Sequence, residues 1–451
     1  MPNTVRFNER DPAITRSDEY YARALGLIPA FTQTLAKGPG QHVLGVAPKY
    51  IQRGKGSHVW DVDGNEYIDF NMGIGPISLG YCYEAVDNAI RTQIESGITF
   101  SLMHPLEVEV AEMLREVLPN AEMIRFSKTG ADVTSAAVRL ARAYTNREKI
   151  LCCGYHGWHD WYISVTQRSD GVPKAVRDLT HTFSYNDLQS VIDSIDDDTA
   201  AVILEPVIFE PPKDDFLSRL KAICEENGTL LIFDEMWTGF RLELGGAQEF
   251  FGVKPDLACY SKAIANGMPL SVLAGRRAVM ELCERDVFFF TTFGGEALSL
   301  AAAKATISEM REKRVPQYLA ERGKALKDGY NSLVKESGMA YTKCSGLDCR
   351  TIVSFDAEAG DPLEIKSLLQ QEMIKRGVLW SGFHNISYSH SNGDIVYTLN
   401  AYRDALPIVK RAVDEQRVRH YLRGEPVEPV FRKTGDFNSK PTRKLIDAVG
   451  S

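Results

Sequence analysis

The chain has 451 residues, is 44% apolar and carries a formal net charge of −8, enough apolar content for one large domain and a smaller one. Lys and Arg form no long runs, which argues against nucleic acid or an anionic membrane as a partner. No apolar stretch reaches the ~20 residues of a membrane span, MPNTVRFNERDP at the start lacks the apolar core of a secretion signal, and the eight cysteines show no metal-binding pattern with histidines. A reduced, cytoplasmic setting is expected.

Residues 1 to about 50 read as irregular, with Gly38-Pro39-Gly40 as a break. Val59–Phe70 reads as a hairpin turning at Asp63-Gly64. From about 75 to 300 the pattern alternates strand and helix. A helix is expected over Glu107–Leu118, then a strand over Met123–Ser127. Ala131–Tyr144 reads as a helix with Val133, Ala136, Ala137, Leu140, Ala141 and Tyr144 on one face. Ile150–Cys153, Ala200–Leu204 and Leu230–Phe233 are short apolar strands, Cys152 and Cys153 being buried thiols. Phe216–Asn227 is a helix stopped by Gly228. The alternation predicts an α/β fold with a mostly parallel sheet covered on both faces. From about 315 onward mixed helix and strand form a separate lobe, and Gly424–Ser451 reads as a partly ordered tail.

The chemistry centres on Lys262. Leu230–Phe233 runs into two carboxylates, Asp234 and Glu235, and Leu257-Ala258-Cys259-Tyr260-Ser261 leads into Lys262 ahead of Asn266-Gly267. Burial of an amine there disfavours its charged form and makes it a nucleophile toward an aldehyde. A lysine for a Schiff base and an aspartate for a pyridine nitrogen are what pyridoxal phosphate requires. FDEMWTGFR (Phe233–Arg241) and YSKAIANGMPLSVLAGR (Tyr260–Arg276) resemble the signature of class III pyridoxal-phosphate aminotransferases, in particular the branch of glutamate-1-semialdehyde 2,1-aminomutase. The resemblance runs from about Ile28 to Gly393.

That resemblance implies the fold-type-I architecture: a large domain on a seven-stranded sheet, a small α/β domain built from both ends of the chain, and a homodimer with active sites at the interface. The boundaries expected are 1–74 for the N-terminal part of the small domain, 75–314 for the large domain, and 315–451 for the C-terminal part and tail. It also implies site roles. Lys262 holds the cofactor and moves the proton, and Asp234 pairs with the pyridine nitrogen. Thr129, Gly130 and Ala131 match the phosphate cradle, with Ala131 replacing the family's Thr and Lys128 its preceding Asn; capping of a helix is the plain alternative for Thr129 and Asp132. Tyr155, in Tyr155-His156-Gly157, matches the residue stacked on the ring. Thr292 matches the threonine that reaches the neighbouring subunit's phosphate, although Glu296-Ala297 departs from the usual Asn-Pro or His-Pro. Glu205, before Pro206, lines the site.

Two positions bear on substrate. Trp237 stands where many relatives carry Gln and either walls the site or packs in the core. Lys37 aligns with the aminomutase's carboxylate-binding Arg but lacks its planar fork. The expected partners are a small-molecule amino donor and a carbonyl acceptor, either an aldehyde, a keto-sugar or another ketone. An intramolecular amine shift, a racemase or epimerase, and a catalytically silent relative are the other readings. His384, His390 and the remaining histidines are scattered, and no metal site is indicated.

Overall fold

Runs such as Ala200–Leu204 and Leu230–Phe233 have no polar face to turn toward water, so they need cover on both sides. In the computed structural model, which describes residues 11–208 and 210–428, they form the middle of a seven-stranded sheet. Its strands are β1 (Met123–Ser127), β2 (Lys149–Cys153), β3 (Thr180–Thr182), β4 (Thr199–Leu204), β5 (Leu230–Asp234), β6 (Leu257–Tyr260) and β7 (Ser271–Gly275). They lie in the order β1-β7-β6-β5-β4-β2-β3. Only β7 runs against its neighbours. Every residue of β4, β5, β6 and β7 is buried.

Alternate side chains of these strands serve opposite faces. On one face Ile150, Ile203 and Ile232 pack with Val133, Ala136, Ala137, Leu140 and Ala141 of α1 (Gly130–Thr145). On the other, Leu151, Val202, Leu231 and Phe233 pack with Phe216, Leu217, Leu220 and Cys224 of α2 (Phe216–Asn227). Gly228 ends α2 in the left-handed conformation, as its position in the sequence predicts. Tyr144 departs from the expected apolar face. It is 41% exposed, and its hydroxyl accepts from Arg276 at 3.0 Å, a partner the phenol would lose in the core.

This unit spans Ala85–Lys313, and a second unit combines, among the described residues, 11–84 with 314–428. The second unit's main sheet draws on both ends of the chain. The antiparallel strands Ile51–Lys55, His58–Asp61 and Glu66–Asp69 are extended by Val378–Leu379, parallel to the third. The turn at Asp63-Gly64 joins the second and third strands, with Gly64 at φ +92°. Thr342–Leu347, Arg350–Phe355 and Phe383–Asn385 form another sheet, accompanied by long helices over Val315–Glu336, Pro362–Lys375 and Asn392–Asp414.

The expectation of an irregular N-terminal stretch fails at Thr15–Ala24, which is helical. Its N-cap position is Ile14, which supplies no side-chain cap. The orphan N–H groups of Arg16 and Ser17 donate instead to the Asp63 carboxylate at 2.7 and 2.9 Å, and Lys49 pairs with Asp18. Cys152 and Cys153 are buried, and Cys82 is the exposed cysteine. Among the described residues no helix is long and apolar enough to cross a membrane, and no cluster of three His, Cys, Asp or Glu could hold a metal. Most of the tail read over Gly424–Ser451 lies outside the described residues. Replacing Asp63 with Ala should cost about 1–2 kcal/mol of stability, the usual worth of a helix cap. Urea unfolding would measure the loss, and faster amide exchange at Arg16 and Ser17 would locate it.

Candidate active site

Parallel strands deliver their C-terminal ends to one edge of a sheet, where the loops that follow can converge. Strands β6, β5, β4 and β2 are consecutive neighbours. Lys262 follows β6, Asp234 ends β5, Glu205 follows β4, and Tyr155-His156-Gly157 follows β2.

Asp234 is buried, with 1% of its surface exposed. One carboxylate oxygen accepts the Met236 N–H at 3.1 Å and the other faces His156 Nδ1 at 2.8 Å. The opposite ring nitrogen of His156 lies 3.1 Å from the Cys153 carbonyl. Both ring nitrogens of His156 therefore face oxygen atoms, the carboxylate on one side and a backbone carbonyl on the other. His156 is itself fixed, because its carbonyl accepts the Thr134 hydroxyl of α1 at 2.9 Å. Next to it, the Tyr155 N–H donates to Glu205 Oε1 at 2.7 Å, and the Tyr155 ring is 44% exposed. Gly154, at φ +107°, leaves room for that carboxylate; a Cβ there would sit 2.8 Å from Glu205 Oε1. Burial, then the charge of Asp234, pushes the Glu205 carboxyl above its ordinary range. Burial also raises the Tyr155 phenol, with the charges of Asp234 and Glu205 adding to it.

Lys262 is half-buried and opens a single 3₁₀ turn, Lys262–Ala265. Its φ of +37° is a conformation that L-residues avoid and that collects at functional sites. Its charge is felt by Glu205, where it opposes the effect of burial.

The turn into α1 carries the capping that was the plain reading of these residues. Thr129 is the N-cap, its N–H donating to Asp132 at 2.8 Å while its hydroxyl accepts from the Asp132 N–H at 3.3 Å. Asp132 also accepts from the Ser127 hydroxyl and the Lys128 N–H. Among the described residues no group accepts from the Gly130 or Ala131 N–H, so two donors at the positive end of the helix stay available. Ala131 packs against the histidine loop; a Cβ on Gly157 would lie 2.7 Å from the Ala131 Cβ. Gly130 abuts Met236, whose sulfur would be 2.8 Å from an added Cβ.

The structure thus brings Tyr155, Glu205 and Asp234 into one network and sets Gly130 and Ala131 against it. Lys128, in the place of the family's Asn, is paired with Glu296 at 2.7 Å. Thr292 is exposed in the loop before α3 (Ala297–Glu312). Trp237 is buried and donates its indole N–H to the Val207 carbonyl at 3.0 Å. Lys37 is exposed and belongs to the other unit. Sequence reasoning did not assign His156 its contact with Asp234, although the residue stands inside the Tyr-His-Gly motif.

Comparison with known proteins follows the same lines. The family model described as aminotransferase class-III matches residues 42–389. The chain is 34% identical to a 3-aminobutyryl-CoA aminotransferase of Cloacimonas acidaminovorans (strain Evry), over 88% of this chain and 98% of that one. It is also 34% identical to a glutamate-1-semialdehyde 2,1-aminomutase of Syntrophobacter fumaroxidans (strain DSM 10017 / MPOB), with the same coverages. Among solved structures it resembles the PLP-bound FumI protein of Sphingopyxis sp. MTA144, with a TM-score of 0.82 and 30% identity over 89% of this chain and 98% of that one.

Replacing His156 with Leu should strand the Asp234 charge in the interior and cost about 3–5 kcal/mol. Denaturant unfolding would measure this, and a loss under about 1 kcal/mol would mean that the pair contributes little.

Proposed function

The chain belongs to the class-III aminotransferase family, and on that premise we propose how its own residues carry out the family's reaction. The enzyme is a pyridoxal-phosphate-dependent transaminase. We infer that it moves an amino group from an amino acid donor to a carbonyl acceptor, an aldehyde, keto-sugar or other ketone. The observation that carries the residue assignments is the set of charged groups at neighbouring strand ends: Lys262 after β6, Asp234 closing β5 on His156, Glu205 after β4.

The residues fit the cofactor on three counts. Lys262 supplies an amine to hold an aldehyde. Asp234 supplies a buried carboxylate for a pyridinium, a charge-assisted contact about twice as strong as a neutral one. The unclaimed N–H groups of Gly130 and Ala131 suit a phosphate at a helix N-terminus, and they remain although Ala131 lacks the family's hydroxyl. When bound, pyridoxal phosphate acts as an electron sink for the substrate carbon that carries the amine. Lys262 Nζ would take up and return the proton at that carbon. His156 holds Asp234, whose carboxylate would pair with the ring nitrogen. Tyr155 offers its ring as a stacking face, Thr129 adds a hydroxyl near the phosphate, and Glu205 lines the wall.

A homodimer completes this reading, with Thr292 reaching the phosphate held by the second copy. Large apolar side chains support it: Phe288, Phe290 and Phe293 flank Thr292 and are 73%, 55% and 58% exposed, and Leu102 and Met103 are 80% and 84% exposed. So much exposed apolar surface on one unit is the mark of an interaction face. Seven buried cysteines that form no disulfide accord with a cytoplasmic setting. Lys37 is a candidate substrate cation and Trp237 a packed wall behind Glu205-Pro206-Val207. The intramolecular shift performed by the aminomutase relatives is not favoured over transfer between two molecules, and Lys in place of their Arg weakens bidentate grip on a carboxylate.

Lys262→Ala should lower turnover roughly 10⁴-fold or more while cofactor still binds through its phosphate and ring nitrogen. Turnover and cofactor absorbance measured on the same sample would check both, and wild-type-like turnover would overturn the assignment.

A further inference from the structure

Two departures from the family's pattern, Lys128 in place of Asn and Glu296 in place of Asn or His, are remote in sequence and joined in space. Lys128 Nζ donates to Glu296 Oε1 at 2.7 Å, with side chains only 19% and 10% exposed. Glu296 also caps α3, accepting the Leu298 and Ser299 N–H groups at 2.8 and 3.0 Å. A carboxylate is the favoured cap at that end of a helix. Its pairing with Lys128 places it close to the turn that opens α1. The loop leading to it is pressed on the end of β1, so that a Cβ on Gly294 would stand 2.8 Å from the Phe126 carbonyl. An uncompensated negative charge there would oppose a phosphate dianion at Gly130–Ala131, because charges within about 10 Å are poorly screened.

We propose that Lys128 is a charge-compensating residue for the cofactor phosphate: it neutralises the Glu296 cap and does not itself ligate the phosphate. This rests on the assignment of Gly130 and Ala131 to the phosphate. The pair is built to stay ionised. Burial works against both charges and lowers the Lys128 amine. At Glu296 burial is outweighed by the Lys128 hydrogen bond and the Ser299 contacts, which hold the carboxyl below its ordinary value. Asn in the family's place would leave a Glu cap unbalanced, which gives a physical reason for the two departures to occur together.

The test compares dissociation constants of pyridoxal phosphate and of pyridoxal, the same ring without the phosphate, for full-length protein stripped of cofactor, by fluorescence titration. Wild type should prefer pyridoxal phosphate. Lys128→Met should weaken pyridoxal phosphate about tenfold or more, the effect of one ordinary charge–charge repulsion, and leave pyridoxal unchanged. Lys128→Met with Glu296→Gln should recover most of the loss, and Lys128→Arg should resemble wild type. A double variant as weak as Lys128→Met would make Lys128 a direct phosphate ligand and overturn the proposal. So would a Lys128→Met variant with both constants unchanged, or with both weakened together, which would mark the pair as merely structural. Equal wild-type constants for the two compounds would overturn the phosphate assignment itself.

Discussion

A carboxyl group with 1% of its surface exposed cannot stay in a protein interior unless something pairs with it, and Asp234 is held by His156 and by the Met236 N–H. Much of the site's construction follows from meeting that need. Asp234 ends β5, whereas His156 arrives from the loop after β2, two strands away, with Glu205 on the end of β4 between them. The loop must turn tightly to bring the imidazole in. Gly154 and Gly157, both with positive φ, make that turn, and Thr134 anchors it to α1. The covering helix, three strand ends and the buried acid are thus one mechanical unit.

The same region concentrates charge and then balances it. Burial and then the charge of Asp234 raise the cost of ionising Glu205, and His156 and Lys262 work against that rise. At the α1 turn, Asp132 collects a hydroxyl and two backbone N–H groups beside the helix N-terminus. Lys128 and Glu296 cancel nearby. What remains unbalanced is the pair of donors on Gly130 and Ala131, which gives an incoming anion a defined place. Binding specificity of this kind comes as much from removing competing charges as from adding attractive ones.

Local patterns were the legible part of the sequence. The helix Phe216–Asn227 and its stop at Gly228 follow from periodicity and one glycine, and the short apolar runs are strands within a residue of their expected ends. The Lys262 and Asp234 motifs read directly because their neighbours along the chain carry the signal. What stayed hidden depends on residues far apart. The helix Thr15–Ala24 is capped by Asp63, so no cap residue precedes it. The Lys128–Glu296 pair joins positions 168 residues apart, each of which alone looks like a deviation. Tyr144 keeps helical spacing with its apolar neighbours but turns to Arg276, because a phenol needs a partner that periodicity does not register.

The claim that the chain transfers amino groups between two molecules is tested most directly by a half-reaction. Cofactor-loaded protein is mixed with L-glutamate in the absence of any acceptor, and the cofactor's absorbance is followed together with 2-oxoglutarate release. Loss of the lysine-bound cofactor band with one equivalent of keto acid per site is the predicted result. An unchanged band and no keto acid, with glutamate and with every other amino donor in a panel of amino acids and amines, would contradict intermolecular transfer and point to an amine shift within one substrate.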